Sequence, residues 1–373
     1  MNQSNENTKK LWLTLALLLT VIVLAVWIDH TSLPAFFESG GAGSQALDCD
    51  KAVTDSTAVS DTTTAPTDET AKTMTESEIP KKTLTVSFLG ECAPGSPYGT
   101  SAYGSLNAIA KENGSSYFFS EITSILSADD LTIAANRCDF SNSPVNTDTL
   151  CAAPSENISI YADGSVEIIA NLSPDIRTFG IDAARACEEN GIAIAERGTV
   201  HYMERNGIVI AILYEHIEKA TDASKLANVV KGARSAADFV ILYFSGGERD
   251  SHSVEPWLRS TLTSAVRAGA SLIVGTGTNV LRPIETVEGV TVVYSLGSLV
   301  DGTKLIPENA TAIAQLKVTK DEDGVLHHEL SVIPVYAYSA LWQPTVMNDE
   351  HDKSLVDQFL NGEILLPVKV ETE

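Results

Sequence analysis

The stretch Phe239-Val-Ile-Leu-Tyr-Phe-Ser-Gly-Gly-Glu-Arg-Asp250 joins an apolar run to small and charged residues. A second run, Ser271-Leu-Ile-Val-Gly-Thr-Gly-Thr-Asn279, has the same form. The segment from Val254 to Ala268 between them has helical periodicity, so the pattern predicts a strand, a helix and a second, parallel strand. Because α/β proteins place functional residues at the carboxyl ends of parallel strands, the residues that end these two runs are candidates for a site.

Further strands, helices and turns are predicted on both sides of this unit. The pair Asn206-Gly207 is typical of a type I′ hairpin, and Asp321-Glu-Asp-Gly324 predicts a turn between antiparallel strands. Together they predict a mixed α/β domain over residues 82–340, followed by an acidic C-terminal tail over 341–373 with one short amphipathic segment. Strands are predicted at Leu84–Gly90, Leu131–Ala135, Val166–Ala170, Ile192–Ala195, Ile208–Leu213 and Thr291–Gly297, and helices at Ser116–Leu126, Ile181–Asn190 and Ser224–Ala236.

The N-terminal region predicts a membrane anchor and a linker. Leu11–Ile28 is a run of 18 uncharged, mostly apolar residues, and a helix of that length spans roughly 27 Å, close to the thickness of a bilayer core. Lys9 and Lys10 precede it, which predicts that residues 1–10 are cytoplasmic and that the rest of the chain is extracellular. A cleaved signal peptide is the alternative. Residues 29–81 are rich in Ser, Thr, Asp, Ala and Gly and predict a disordered linker.

Charge and cysteine content narrow the possible functions. The formal net charge of −24 argues against nucleic acid as a partner, because the phosphate backbone would be repelled. The five cysteines show no CxxC spacing and so no zinc knuckle or thioredoxin-like motif. Outside the membrane, disulfides become possible: Cys138 with Cys151 closes the shortest loop, Cys92 with Cys138 is a second option, and buried free thiols are a third. The two remaining cysteines are Cys49 and Cys187.

Five sequence blocks, in this order, resemble the CapA-type family of capsule and poly-γ-glutamate biosynthesis proteins. They are Phe88-Leu-Gly-Glu-Cys-Ala-Pro-Gly95, the segment from Tyr117 to Ile133, Ala237–Ile241, Ala268–Gly275 and Val293-Tyr-Ser-Leu-Gly297. The domain of that family resembles a calcineurin-type metallophosphoesterase. The resemblance therefore implies an αββα sandwich with a mixed sheet, and a site at the strand ends.

The resemblance also implies that the strand ends of the family carry metal ligands, and this chain departs from them. Glu91 stands for the first Asp, Asn136-Arg137-Cys138 for Asn-Leu-Glu, and Asn171 begins a block that has lost its histidine. Ser245-Gly-Gly247 replaces His-Trp-Gly, and Gly275–Asn279 replaces Gly-His-His-Pro-His. Because a two-metal centre needs several carboxylate and imidazole ligands, these changes predict a cleft with no metal, no cofactor and no catalytic residue.

The interpretation that follows is a non-catalytic CapA-like protein that binds a cell-envelope polymer or an envelope protein. The predicted cleft residues are Glu91, Asn136, Cys138, Asn171, Ser245, Glu248 and Asn279. Two alternatives remain open. A hydrolase or transferase acting on an envelope polymer would use Glu91 and Glu248 together with Asp250 and His252, whose side chains suit acid–base chemistry but also suit a solvated loop. A structural spacer would need none of these residues.

Overall fold

The computed structural model describes residues 82–142, 151–173, 179–303, 309–340 and 342–365. The predicted anchor Leu11–Ile28 and the linker lie outside these residues. Within them, no helix combines the length and the apolar character that crossing a bilayer requires.

One sheet has eight strands and contains both parallel and antiparallel pairs. The strands are β1 (Lys82–Ala93), β2 (Leu131–Asn136), β5 (Ile168–Asn171), β6 (Ala193–Glu196), β13 (Ser298–Asp301), β14 (Ala310–Lys320), β15 (Leu326–Ala340) and β16 (Gln343–Val346). Their order is β16-β15-β14-β1-β2-β5-β6, with β13 also paired to β1. The pairs among β1, β2, β5 and β6 are parallel, as is β1 with β13, whereas β14 is antiparallel to β1 and to β15.

The second sheet has six strands: β7 (Thr199–Arg205), β8 (Ile208–Ile217), β9 (Phe239–Gly246), β10 (Leu272–Thr276), β11 (Ile284–Val287) and β12 (Val290–Val293). Their order is β11-β12-β10-β9-β8-β7. The predicted parallel unit is present, because β9 pairs in parallel with β10. The predicted hairpin is confirmed as well: β7 and β8 are antiparallel, and Asn206 and Gly207 have the positive φ angles of 55° and 71° that a type I′ turn requires. A separate ladder joins β3 (Asp139–Phe140) to β4 (Ala152–Ala153).

Helices cover the outer faces of the two sheets. The helices of the described residues are α1 (Leu106–Asn113), α2 (Thr123–Leu126), α3 (Ser159–Asp163), α4 (Ile181–Glu189), α5 (Ala223–Arg234), α6 (Pro256–Ala268) and α7 (Glu350–Leu360). The carboxylate of Asp222 caps α5 by accepting hydrogen bonds from the N–H groups of Ser224 and Lys225. Helix α6 ends at Gly269, whose φ of 112° favours glycine.

Three apolar clusters account for this layering. The central cluster contains side chains of both sheets, such as Phe88 of β1 and Tyr243 of β9, so the sheets face each other across it. A second cluster joins the other face of the first sheet to α1–α4, and a third joins the second sheet to α5 and α6. Burial on both faces explains why β8 and β9 are almost continuously apolar. The predicted mixed α/β class is confirmed.

The ordered fold continues beyond residue 340, where the sequence predicted an acidic tail. Strand β16 pairs with β15, and α7 places Val356, Phe359 and Leu360 in the central cluster. The amphipathic segment noted near Ser354–Leu360 is the second half of α7. The predicted helix over Ser116–Leu126 is wrong in length: a short 3₁₀ turn and the single-turn α2 occupy that segment.

Candidate functional site

The candidate site lies where strand ends of the two sheets meet. Glu91 lies in β1, in register with Ala135 of β2 on one side and Ser298 of β13 on the other. The neighbouring Gly90 packs against the backbone, and a Cβ there would lie 2.1 Å from the carbonyl oxygen of Gly297. Close packing of three strands thus fixes the position of Glu91, which is 2% exposed.

Arg137 lies at the centre of the site and is also 2% exposed. Its Nη1 donates to Asn279 Oδ1 at 2.8 Å and lies 3.6 Å from Glu91 Oε2. Its Nη2 lies 3.2 Å from Asp301 Oδ2 and donates to Thr303 Oγ1 at 3.1 Å. One buried guanidinium therefore compensates two buried carboxylates and connects the ends of β1, β2 and β13 to the loop after β10.

Asp301 and Thr303 form a local turn that supports this arrangement. The N–H and the hydroxyl of Thr303 both donate to Asp301 Oδ1, at 2.9 and 2.5 Å. Asp301 Oδ2 is thereby turned toward Arg137. These two hydrogen bonds fix the orientation of the Asp301 carboxyl group beside the guanidinium.

The loop after β9 forms the rim of the site. Arg249 reaches in from this loop, with Nη2 3.9 Å from Glu91 Oε1 and its side chain 34% exposed. Asp250 has a left-handed φ of 55°; its N–H donates to Thr278 O at 2.8 Å, and its Oδ1 accepts from Asn279 Nδ2 at 2.9 Å. The loops after β9 and β10 are therefore tied to each other directly above Arg137.

A second buried arginine, Arg282, holds the rim loop from below. It forms a bidentate pair with Glu255, with Nη1–Oε2 at 2.8 Å and Nη2–Oε1 at 3.1 Å, and donates to the carbonyl oxygens of Ser251 and Glu248. Burial disfavours the ionised Glu255, but the Arg282 guanidinium and nearby N–H groups outweigh this, so the pKa of Glu255 is lowered from its ordinary value. Gly247 is required here, because a Cβ would lie 2.5 Å from Arg282 Nη1.

Of the predicted cleft residues, Glu91 and Asn279 contact Arg137, whereas three others are engaged elsewhere. Asn136 folds onto its own turn, donating to Cys138 O at 2.8 Å and accepting from the Cys138 N–H and the Tyr161 hydroxyl. The Cys138 thiol is buried close to Gly95. Asn171 donates to Glu196 Oε2 at 3.1 Å, at the end of β5. These three side chains have structural contacts in the described residues.

The remaining predicted residues lie in or under the rim loop. Ser245 is buried beneath Gly277, where a Cβ would lie 2.4 Å from its Oγ. Glu248 is exposed, and its N–H donates to Glu255 Oε1 at 2.5 Å. His252 Nδ1 lies 2.7 Å from Leu281 O, and its ring packs against Phe359 of α7 with centroids 5.2 Å apart. Asp250 and His252 thus have different partners, Asn279 for the first and the Leu281 and Phe359 groups for the second.

Sequence reasoning missed Asp301, Thr303 and Arg249 as site residues. Arg137 stood in the block that replaces Asn-Leu-Glu, but it was not predicted as a cleft residue. Asp301 and Thr303 follow Gly297 by only a few residues, so their position after a buried strand was the available signal. Nothing in the sequence indicated Arg249, because its contact with Glu91 depends on how the rim loop folds over β1.

The donor set does not fit a pair of divalent metal ions. The buried carboxylates of Glu91 and Asp301 are already ion-paired with Arg137. Residues 82–142, 151–173, 179–303, 309–340 and 342–365 contain no group of three or more His, Cys, Asp or Glu that could hold a metal. Two-metal centres depend on several such ligands, and hydroxyl or amide oxygens do not replace them for ions such as Zn²⁺ or Mn²⁺.

The chain is similar to a known protein family and to solved structures. A family model described as "Bacterial capsule synthesis protein PGA_cap" matches residues 85–303, a range that includes the ion-paired cluster around Arg137. Among solved structures, the chain is similar to a hypothetical protein from Thermus thermophilus at 12% identity and a TM-score of 0.42, covering 67% of this chain and 99% of that one. No match was found among curated proteins.

Proposed function

Because the chain belongs to the bacterial capsule synthesis protein family, we propose that it is a member that binds rather than hydrolyses. In this proposal Leu11–Ile28 anchors the chain in the cell membrane, and the domain beginning at Lys82 is displayed outside the cell. There it binds an envelope polymer, such as a capsule polymer or poly-γ-glutamate, at the strand-end cleft. The two facing sheets with outer helices support the metallophosphoesterase-like αββα sandwich expected from the resemblance.

The observation that carries the proposal is the position of the Arg137 guanidinium. It lies 3.2 Å from Asp301 and 3.6 Å from Glu91, among the residues that the resemblance matches to metal ligands. A cation held there would repel a divalent ion and already neutralises the carboxylates that would bind it. The charge that a metal supplies in a phosphoesterase is thus supplied by a side chain, which has no coordinated water to activate.

Two further features support ligand binding at the same place. Ser298 and Thr276 have buried hydroxyl oxygens, and neither has a hydrogen-bond partner among the described residues. Such groups carry a desolvation cost unless a ligand or water satisfies them. Arg249 adds a partly exposed positive charge at the rim, where an acidic group of a polymer would compete with Glu91 for it.

The first experiment tests for catalysis. Full-length protein, purified in detergent without chelator, is analysed for bound Mn, Fe and Zn and assayed with phosphodiester substrates. We expect sub-stoichiometric metal and no turnover above background. Stoichiometric metal together with turnover that chelation abolishes would overturn the non-catalytic part of the proposal.

The second experiment tests polymer binding. Purified capsule polymer from the source strain and poly-γ-glutamate are titrated against the wild type, Arg249→Gln and Arg267→Gln. Arg267 is a matched control, because it is an exposed arginine of α6 that is paired with Glu288. We expect Arg249→Gln to weaken binding by roughly tenfold or more, the effect of losing one hydrogen bond to a charged group, and Arg267→Gln to leave it unchanged. Equal effects of the two substitutions, or no binding by the wild type, would contradict a cleft site.

A further inference from the structure

We propose that Cys138 and Cys151 form a disulfide that joins the segment after β2 to the start of β4. This inference rests on the extracellular placement in the proposed function, because disulfides form in oxidising compartments. The first evidence is backbone register. Asp139 is paired in parallel with Ala152, and the Asp139 N–H donates to Cys151 O at 3.0 Å. Cys138 and Cys151 therefore directly precede the paired strands β3 and β4.

This register gives the spacing that a disulfide needs. Paired strands lie about 4.8 Å apart, inside the range of roughly 4.4–6.8 Å between Cα atoms of disulfide-bonded cysteines. Gly95 adds a second constraint on the thiol itself. A Cβ at this glycine would lie 2.5 Å from Cys138 Sγ and 2.6 Å from Ala152 O, so the Cys138 sulfur lies beside the β4 backbone.

The environment of the two thiols agrees with this pairing. Both are buried in the apolar cluster between the first sheet and α1–α4. Burial, followed by a hydrogen bond with the Cys151 thiol, raises the pKa of Cys138 well above its ordinary value. Both cysteines are free, buried thiols in this structure, and burial keeps the Cys138 thiol protonated once the domain is folded. Because the thiolate is the nucleophile, the disulfide forms during folding, before the pair is buried.

The same geometry disfavours the other pairing considered from the sequence. Cys92 is in register with Asn136, and Cys138 lies two residues further along. The Cys92 thiol donates within β1, to Gly90 O at 3.7 Å, whereas Cys138 lies beyond the end of β2 and directly precedes β3. Cys187 lies on α4, a different element. Both cysteines therefore serve as internal controls.

The reaction is thiol–disulfide exchange with a disulfide oxidant, either a protein disulfide oxidase or glutathione disulfide. The thiolate of one cysteine attacks the oxidant's disulfide, forming a mixed disulfide and releasing one thiol. The second cysteine then attacks the mixed disulfide, forming the Cys138–Cys151 bond and releasing the second thiol. The two cysteines together lose two electrons and two protons, and the oxidant gains them.

The chain suits a direct test by mass spectrometry. Full-length protein is expressed in cells, blocked with N-ethylmaleimide, denatured without reductant and digested with trypsin. Cleavage after Arg137 and Arg177 releases one peptide that contains Cys138 and Cys151, whereas Cys92 and Cys187 fall in separate peptides. We expect the first peptide to be unlabelled and lighter by two hydrogen atoms, and the other two to carry the label. Further cleavage of the first peptide at Asp148, which lies between the two cysteines, should give fragments that stay joined until the disulfide is reduced.

Labelling of both Cys138 and Cys151, or linkage of either to Cys92, would overturn the proposal. A refolding experiment separates two causes of failure. If the disulfide is absent in cells but forms when denatured protein refolds with glutathione disulfide, the extracellular placement is wrong. If the disulfide forms in neither experiment, the proposed pairing of Cys138 with Cys151 is wrong.

Thermal unfolding with and without reductant provides a second test. A change in packing at a substituted cysteine would alter the Tm but would not make it depend on reductant. Reduction should lower the Tm of the wild type by roughly 5 °C, the effect of releasing a short closed loop. It should leave the Tm of Cys151→Ser unchanged. The control variant Cys187→Ser should respond to reduction as the wild type does, and an equal response of all three proteins would contradict the disulfide.

Discussion

Arg137 and Arg282 are both buried, but the structure holds them in different ways. Arg282 is fully enclosed, and its partners all belong to the rim loop: a bidentate carboxylate at 2.8 and 3.1 Å and two backbone carbonyls. Arg137 has longer ion pairs, at 3.2 and 3.6 Å, and its partners come from the ends of β1 and β13 and from the loop after β10.

We therefore describe the Arg282–Glu255 pair as a structural clamp and the Arg137 cluster as the candidate site. The Arg282 pair satisfies its own groups and fixes the shape of one loop. The Arg137 cluster shares one positive charge between two carboxylates at the place where the sheets meet, and the partly exposed Arg249 adjoins it. Ion pairs with longer distances and solvent access at one end are the ones that a ligand can rearrange.

The largest effect should follow from removing the clamp. Arg282→Ala leaves the Glu255 carboxylate and two carbonyl oxygens without their donor, and breaking a buried ion pair costs about 3–5 kcal/mol. Urea unfolding should show a loss of that size, with weaker polymer binding because the rim loop is no longer fixed. Arg267→Ala, which removes an exposed arginine, should change stability little. Equal losses in the two variants would contradict the role of Arg282 as a clamp.

Removing the central cation should have the next largest effect. Arg137→Met keeps the apolar stem but leaves Asp301 buried without its counter-charge and Glu91 to the more distant Arg249, for an expected loss of about 3 kcal/mol. Adding Asp301→Asn should recover part of this loss, since it removes the uncompensated charge. A double-mutant cycle by urea unfolding, with Arg137→Met, Asp301→Asn and the double variant, measures the coupling. If the losses of the two single variants add up to the loss of the double variant, Arg137 and Asp301 do not interact as the structure indicates.

The pH dependence of stability should reveal the contribution of the Glu255 carboxylate, the partner of Arg282. The folded pKa of Glu255 is lowered below its ordinary value of 4.5, so its contribution is present above that pH and is lost as the pH falls through the folded pKa. The wild type should therefore be more stable than Glu255→Gln near neutral pH, and the difference should shrink below pH ~4.5. Unfolding measured across this range checks the sign. A difference that grows on acidification would contradict it.

The smallest effect on stability is expected at the rim. Arg249 is about one-third exposed and 3.9 Å from Glu91, a geometry for which ion pairs contribute about 0–1 kcal/mol. Arg249→Gln should thus leave the unfolding free energy nearly unchanged while weakening polymer binding. A large loss of stability in this variant would place Arg249 with Arg282 among structural groups, and the binding result would then need a different explanation.

Much of the fold was accessible from local sequence patterns. The apolar runs that became β8, β9 and β10 and the Asn206-Gly207 turn were identified correctly, since they depend on continuous burial and on φ preference, which are local properties. The family resemblance is confirmed by the match over residues 85–303. The helix predicted over Ser116–Leu126 failed because its apolar residues, including Phe118 and Phe119, are buried through turns rather than through helical periodicity.

The candidate site was less accessible. Glu91 and Asn279 were predicted as cleft residues, and both contact Arg137. Asn136, Cys138 and Asn171 follow neighbouring strands as expected, yet each makes structural contacts instead. A strand-end position places a residue near the edge of the sheet, but the direction of its side chain depends on neighbours that are distant in the chain, such as Glu196 for Asn171.

The amino-acid order alone was sufficient for the mixed α/β class, for the family and for the observation that histidines are missing from the matched ligand positions. Each of these depends on residue types and spacings along the chain. The tertiary structure decided which groups compensate one another: it placed Arg137 between Glu91, Asp301 and Asn279, and Cys138 beside Cys151. Charge compensation and thiol pairing act through space over a few ångströms, between residues separated by up to 164 positions, and this proximity is set by strand register and sheet packing.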